Sequence, residues 1–424
     1  MKTVLLIGLG VEGRAAARHF LSEGYKVIAA DSAAADAPCP REFSHQENFH
    51  WCTEEAAPDV LAGTNLVLRS PGIPPSHTLV TAALHQGHQV TTPTGYWLAN
   101  HAPANTLTVT GSKGKSTTVT LTVDLLKASG MDAAPHGNIG LPPLDQVMAS
   151  ADYPVLELSS YMLHDIQDGP YTHVVTNLFR EHTPWHGSES AYHEAKLRPF
   201  RFDPPRPGMT SQTIIDHHHL PDSVHAAESL IADNAFDPSI LPEEFHDGPL
   251  LIALRHAVAA AHLITGNTVL ESSILATAEQ YQGLPSRQEK VPSTDGRFWI
   301  NDALATVPEA VLHVIQRYDD KQICLLLGGA DREQDFSTIA LALASRKNII
   351  SLIFGSTASR LEKALRDSNA TFRRCDSYED ALTVAAEITP ENGVVLFSPA
   401  AASEAPHGNF SVRADIFRQR AAEA

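Results

Sequence analysis

Thr108-Val-Thr-Gly-Ser-Lys-Gly-Lys-Ser-Thr-Thr118 joins the end of an apolar strand to a glycine turn and then to a helix continuing through Val119, Leu121, Val123, Leu125 and Leu126. Glycines at 111 and 114 let the backbone turn tightly enough to aim several N–H groups at one anion, and the helix adds its positive N-terminal end at the same spot. Lys115 supplies a mobile charge for terminal phosphates and Ser116 a hydroxyl for magnesium. The strict phosphate-loop pattern places a glycine where Val109 stands; here Gly111 lies three residues before Gly114 instead. The order Gly-Lys-Ser-Thr directly after a strand predicts a nucleoside triphosphate site built from Gly111, Ser112, Lys113, Gly114, Lys115, Ser116 and Thr117.

Downstream, a strand from Tyr153 ends in Glu157-Leu-Ser-Ser160, and another from His173 ends in Asn177-Leu-Phe-Arg-Glu-His182. If both belong to the sheet that carries the loop, Glu157 and His182 emerge at its C-terminal edge, facing the triphosphate. Glu157 beside Ser116 can complete a magnesium shell, since hard cations take oxygen ligands. His182 and Lys196, on a helix around Ala191 to Lys196, then flank a second acidic group.

Upstream, Val4 to Ile7 is a β-run followed by Gly8-Leu-Gly10-Val-Glu-Gly13, an alanine-rich helix and a strand, Lys26 to Ala30, ending at Asp31. That βαβ spacing is found in dinucleotide folds. A dehydrogenase is the obvious guess from it, but a complete second nucleotide site follows. A third strand, Asn65 to Leu68, leads into Arg69-Ser-Pro-Gly72-Ile-Pro-Pro75, a rigid turn at a strand's C-terminal edge, where open α/β sheets bind ligands. Alternating strands and helices imply parallel sheets covered on both faces. The expected fold is α/β in three domains: a Rossmann-like domain over 1–93, a central phosphate-loop ATPase-type sheet over 94–288, and a Rossmann-like domain over 289–424. Its strands in the last domain are Phe298 to Asn301, Ile323 to Leu327, Ile349 to Phe354 and Val394 to Phe397.

A chain of 424 residues exceeds one core, and 43% hydrophobic against 19% charged residues is the mix of a globular protein. The net charge of −18 argues against a nucleic-acid partner, which needs clustered Lys and Arg. Cys39, Cys52, Cys324 and Cys375 lack metal-ligand spacing and read as free thiols. His217-His-His219 reads as a solvated loop, because three adjacent side chains converge poorly on one ion. The apolar start leads straight into Glu12, Gly13 and Arg14 and reads as a buried strand, and no run approaches the roughly 20 apolar residues that span a bilayer. A soluble cytoplasmic protein with no membrane partner is expected.

The ordered set Gly111-Ser-Lys-Gly-Lys-Ser-Thr117, His136-Gly-Asn138-Ile-Gly140, Leu156-Glu-Leu-Ser-Ser160, Glu181-His182, Tyr192-x-x-x-Lys196, Gly283-Leu-Pro-x-Arg287, Asn301-Asp302, Leu327-Gly-Gly329 and Ser398-Pro-Ala-x-x-Ser403 resembles the Mur ligase family. Order and spacing are most similar to its glutamate-adding members. The resemblance implies ATP-dependent addition of glutamate to UDP-N-acetylmuramoyl-L-alanine (UDP-MurNAc-L-Ala) by a monomer. ATP and two magnesium ions are implied, with Lys115, Glu157, His182 and Lys196 catalytic and Ser116, Glu157, His182 and a carbamylated Lys196 around the metal. It also implies Arg287 and Asp302 on ATP, Asp31, Ser32, Gly72, Asn138 and Ser159 on the nucleotide substrate, and Thr306, Arg332, Ser403 and Phe410 on the incoming amino acid.

The chain departs from the family in several places. Leu251-Ile-Ala-Leu-Arg255 stands where an asparagine pattern usually meets adenine, and Leu304 stands for a lysine common in D-glutamate enzymes. Glu404-Ala-Pro-His-Gly408 replaces an aromatic-Asp-Gln segment, and Glu12 sits in the first glycine loop. Glu12-Gly-Arg14, Ser112-Lys113, Trp185 and Thr306-Val-Pro lean to an L-glutamate branch, against D-glutamate as the family default. A Mur-type ligase with a different acyl acceptor or amino acid, and a silent nucleotide-binding homologue, are the alternatives.

Overall fold

A computed structural model describes residues 1–55, 61, 63–145, 151–179, 183–233, 236–331 and 334–424. The first sheet comprises β1 (Thr3–Ile7), β2 (Lys26–Ala30), β3 (Phe49–Cys52), β4 (Leu66–Arg69) and β5 (Val90–Thr91), in the order β3-β2-β1-β4-β5 and all parallel. Both faces of β1 are buried, so it reads as a continuous apolar run. Val4 and Leu6 join one core, and Leu5 and Ile7 the other. Ala15, Ala16 and Ala17 let helix Val11–Ser22 lie close on the first of these.

The second sheet comprises β6 (Thr106–Thr110), β7 (Ala133–Gly137), β8 (Tyr153–Glu157), β9 (Tyr171–Val175), β10 (Gly208–Thr210) and β11 (Val224–Ala226). Its order is β11-β10-β9-β6-β8-β7, again all parallel. Leu107 and Val109 of β6 pack under helices Lys115–Ala128 and Gly248–Thr265, while Thr106, Thr108 and Thr110 stay buried on the opposite side of the strand. Helix Gly248–Thr265 is long and apolar enough by composition to cross a membrane, contrary to the expectation that no run comes near this. Its buried face, including Leu254, Ala257, Val258 and Ala261, packs in the same core as the helix after the phosphate loop.

The third sheet comprises β12 (Glu289–Val291), β13 (Phe298–Asn301), β14 (Ile323–Gly328), β15 (Ile349–Phe354), β16 (Phe372–Arg374) and β17 (Val394–Phe397). Its order is β12-β13-β17-β14-β15-β16, with only β12 antiparallel. The chain divides into two compact units, 1–281 and 282–424, so Gly283 to Arg287 opens the second. The four cysteines are free. His217 and His218 end helix Gln212–His218, and His219 caps it at φ 51°, so the trio is a helix end and not a loop. Among the described residues, no cluster of three His, Cys, Asp or Glu side chains is arranged to hold a metal.

Candidate active site

The loop after β6 needs glycine twice. Gly111 lies at φ 150°, and a Cβ there would collide with Thr176 Oγ1; Gly114, at φ 78°, directly precedes helix Lys115–Ala128. Asn177, beyond β9, holds the loop from the side: its carbonyl accepts from the Ser112 N–H at 2.9 Å and its Oδ1 from the Lys113 N–H at 2.8 Å. Ser112 is buried, its hydroxyl accepting from the Phe179 N–H at 2.8 Å and lying 3.0 Å from the Tyr192 hydroxyl, so it frames the loop. Ser116 and Thr117 occupy the first helical turn, where N–H groups lack intrahelical partners and the helix end is positive.

Two ammonium groups meet at this loop. Lys115 folds back, its Nζ donating to the carbonyls of Gly111 at 3.0 Å and Ser112 at 3.2 Å. Lys196, on helix Glu189–Leu197 and only 1% exposed, donates to the same Gly111 carbonyl at 2.9 Å and to Thr110 Oγ1 at 3.1 Å. Like charges so placed favour an anion between them, or neutralisation of one. Neither His173 nor Thr110 was singled out from sequence, yet both fix Lys196. His173 Nε2 lies 2.9 Å from the Lys196 carbonyl and Nδ1 2.8 Å from Thr108 Oγ1. Burial pushes the His173 ring down to about 4, so it is neutral and Nε2–H donates to that carbonyl. The signals were present: threonines alternating along Thr106-Leu-Thr-Val-Thr110, and a histidine in the middle of an apolar strand.

Glu157 ends β8, fully buried. Its Oε1 accepts from Asn138 Nδ2 at 2.8 Å, and its Oε2 is buried without a hydrogen-bond partner. A carboxylate oxygen left so is costly unless a cation meets it. Magnesium, which takes one or two protein oxygens and completes its shell from phosphates and water, suits Glu157 with Ser116. Asn138 is locked here because its N–H donates to the Glu157 carbonyl at 2.9 Å and a Cβ at Gly137 would strike that same carbonyl.

In the first sheet the loops after β1 and β4 adjoin where the strand order reverses, the crevice at which open α/β sheets bind ligands. Ser70 Oγ donates to the Gly8 carbonyl at 2.8 Å. Asp31 accepts from the Leu9 N–H at 2.7 Å and the Ala33 N–H at 2.9 Å, Ser32 opens the next turn, and Gly72 is unobstructed. Glu12 turns away from this loop into the protein. Its Oε2 accepts from the Thr94 N–H at 3.3 Å, Oε1 has no partner, and burial raises the carboxyl to about 7. Ser159 Oγ caps helix Ser160–Leu163 by accepting from the Met162 N–H at 3.2 Å.

Arg287, Asp302, Thr306, Ser403 and Phe410 belong to the unit 282–424. Asp302 accepts from Ser398 Oγ at 2.7 Å and the Gln288 N–H at 3.2 Å, and burial lifts it to about 6. Ser403 Oγ is buried without a partner, Arg287 and Phe410 are exposed, and Glu404 accepts from the Ser356 N–H at 3.0 Å. The structure therefore gathers Lys115, Ser116, Asn138, Glu157 and Lys196 at the edge of the second sheet, and Asp31, Ser32 and Gly72 at the edge of the first. His182 and Arg332 lie outside the described residues.

Residues 2–92 match the profile of the Mur ligase MurD-like N-terminal domain, and residues 109–226 that of the Mur ligase middle domain. The chain is 33% identical to the UDP-N-acetylmuramoyl-L-alanine–L-glutamate ligase of Salinispora tropica, over 99% of this chain and 97% of that one. It is 30% identical to the UDP-N-acetylmuramoylalanine–D-glutamate ligase of Geobacillus kaustophilus, over 98% and 96%. The fold resembles that of the UDP-N-acetylmuramate-alanine ligase MurC of Thermotoga maritima, with a TM-score of 0.59 at 14% identity over 99% of both chains. The chain belongs to the Mur ligase family, on its MurD-like side.

Proposed function

We propose that this chain is an ATP-dependent ligase that adds glutamate to UDP-MurNAc-L-Ala in peptidoglycan precursor synthesis. L-glutamate is the isomer favoured by similarity, at 33% and 34% identity to L-glutamate ligases against 30% to a D-glutamate ligase. The segments 1–93, 94–288 and 289–424 serve the nucleotide substrate, ATP and the amino acid in turn. One observation carries the reading. At the edge of a single sheet, a phosphate loop, two ammonium groups sharing the Gly111 carbonyl, of which Lys196 is buried and Lys115 half-buried, and a buried carboxylate with an unmatched oxygen come together.

The terminal carboxylate of the substrate attacks the γ-phosphorus of ATP, the bond to the β-phosphate oxygen breaks, and ADP leaves an acyl phosphate. The amine of glutamate then attacks the acyl carbon, the carbon–oxygen bond to phosphate breaks, and the amine's proton is lost to solvent. Both steps crowd negative charge, so the chain's part is positioning and electrostatic stabilisation. Lys115 and the loop amides hold the phosphates. Glu157 and Ser116 would hold magnesium, which when bound neutralises phosphate charge. The Lys196 amine would add carbon dioxide, releasing a proton, so that a carbamate oxygen replaces one of two neighbouring cations. His182 is assigned to the same region by family resemblance alone.

Phosphate release by the purified chain with ATP, magnesium, UDP-MurNAc-L-Ala and each glutamate isomer tests this. Release is expected with L-glutamate. Release with D-glutamate alone would reverse the isomer, and none with either would overturn the ligase reading.

A further inference from the structure

Arg69 ends β4 with none of its surface exposed, and no step above uses it. A guanidinium out of water is costly unless its donors are matched. Here they are matched in two directions. One terminal nitrogen donates to the carbonyls of Pro71 at 3.1 Å and Ile73 at 2.8 Å, bracing the loop Ser70–Ile73 from beneath. The other donates to the Tyr161 carbonyl at 2.9 Å, and Nε donates to the Asp165 carboxylate. Thr91 Oγ1 in turn donates to the Asp165 carbonyl at 2.8 Å. The guanidinium carbon also lies 5.5 Å from the centre of the Trp185 ring, which stacks on Tyr161 at 4.5 Å.

At its two ends the loop is tied by the Ser70 N–H donating to the Ile7 carbonyl at 2.8 Å, the Ile73 N–H donating to the Ser70 carbonyl at 3.0 Å and Ile73 packing on the core of the first sheet. A Cβ at Gly72 would meet nothing within 4 Å, so side-chain packing does not set the turn's shape at its tip. Ser70 ties the outer strand of the loop to Gly8. The far end of the Arg69 network is the stretch around Ser160–Leu163, which begins three residues after Glu157. Arg69 is thus the side chain that braces the crevice loop of the first sheet from beneath and also links it to the stretch beside the edge of the second, where the phosphate site lies.

We propose that Arg69 is a positioning residue for the uridine-nucleotide substrate: it holds the Ser70–Ile73 loop in the form that receives the diphosphate–sugar end, in register with the edge bearing Glu157 and Lys196. This rests on the ligase reading. Lysine cannot substitute, because a single ammonium does not reach Pro71, Ile73, Tyr161 and Asp165 together.

The test uses the full chain as wild type, Arg69→Lys and Asp165→Asn. Far-UV circular dichroism and melting temperature check folding, and KM is measured separately for UDP-MurNAc-L-Ala, ATP and glutamate. Arg69→Lys is expected to raise the nucleotide KM about tenfold or more while the ATP KM moves less than about twofold. Asp165→Asn moves it the same way by less. An unchanged nucleotide KM, or a common rise in all three with a lowered melting temperature, overturns the proposal in favour of a purely structural arginine. If Arg69→Lys does not fold, Asp165→Asn decides by the same criterion. A wild type that neither binds nor turns over UDP-MurNAc-L-Ala removes the ligase reading and this proposal with it; an active wild type with unmoved variants removes the proposal alone.

Discussion

Lys115 and Lys196 both reach the Gly111 carbonyl, but Lys196 is the buried one, with Thr110 and Tyr192 against its amine and His173 against its backbone carbonyl. Losing the Lys196 amine therefore removes a fixed group that no solvent molecule replaces in the same place. Lys196→Ala is expected to lower kcat by about 10²–10³-fold, with partial return on adding a short-chain carboxylate. Unchanged turnover would eliminate the carbamate. Glu12 gives a second expectation at this scale. Burial raises its carboxyl from 4.5 to about 7, so the folded chain holds the proton more tightly than the unfolded one. Its neutral form favours folding fully below 4.5, and that contribution is lost as pH rises through 7. Glu12→Gln keeps the neutral shape and should stabilise the chain at pH 8 by on the order of 3 kcal/mol, and much less at pH 5. Urea denaturation at the two pH values reads this directly; equal shifts at both would contradict the burial argument.

The loop and its helix form one element, and its two glycines are not equivalent. Alanine at 114 would keep open space around it and meet only the left-handed backbone cost, about 1–2 kcal/mol. Alanine at 111 adds a collision with Thr176, which itself donates to the Lys113 carbonyl at 2.8 Å, so the whole turn must move. Gly111→Ala should cost about 2–4 kcal/mol and abolish ATP binding measured by calorimetry, whereas Gly114→Ala should weaken it only partly. Equal effects would mean that the crowding at Thr176 does not govern the loop. The same contrast explains what the sequence revealed. The central strands β1, β8, β14, β15 and β17 are largely apolar runs bounded by turns, and β6 alternates threonine with Leu107 and Val109; all were readable within a residue or two. The edge strands were not: β3 reads Phe-His-Trp-Cys, β7 contains Pro135, and β16 reads Phe-Arg-Arg. Edge positions tolerate proline and charge, so their pattern carries little of the sheet signal. At the site, Lys115 and Ser116 were visible because they open the helix of a local strand–loop–helix motif, and Glu157 because it ends a strand. The roles of His173 and Arg69 arise from contacts 23 to 96 residues away along the chain, which no local pattern records.

At the scale of the molecule, the unit 282–424 carries its own two-sided core. Leu325, Leu327, Val394 and Leu396 pack on one face of the third sheet, and Trp299, Leu326, Val395, Phe397 and Phe417 on the other. A segment of about 140 residues buries enough surface to fold alone. Trp299 is the only tryptophan within it, is 1% exposed, and donates to Asp295 at 3.0 Å, so its emission reports that core without interference. Expressed alone, 282–424 is expected to show blue-shifted emission that moves to the red in one cooperative urea transition. Expressed alone, 1–281 keeps the phosphate loop, Glu157 and Lys196 and should bind ATP, more weakly for want of Asp302, yet form no amide, since Thr306 and Ser403, proposed to hold the amino acid, are missing. A red-shifted, gradual transition in the smaller piece would mean that its core depends on the rest of the chain, and amide formation by the larger piece would remove the amino-acid site from residues 282–424.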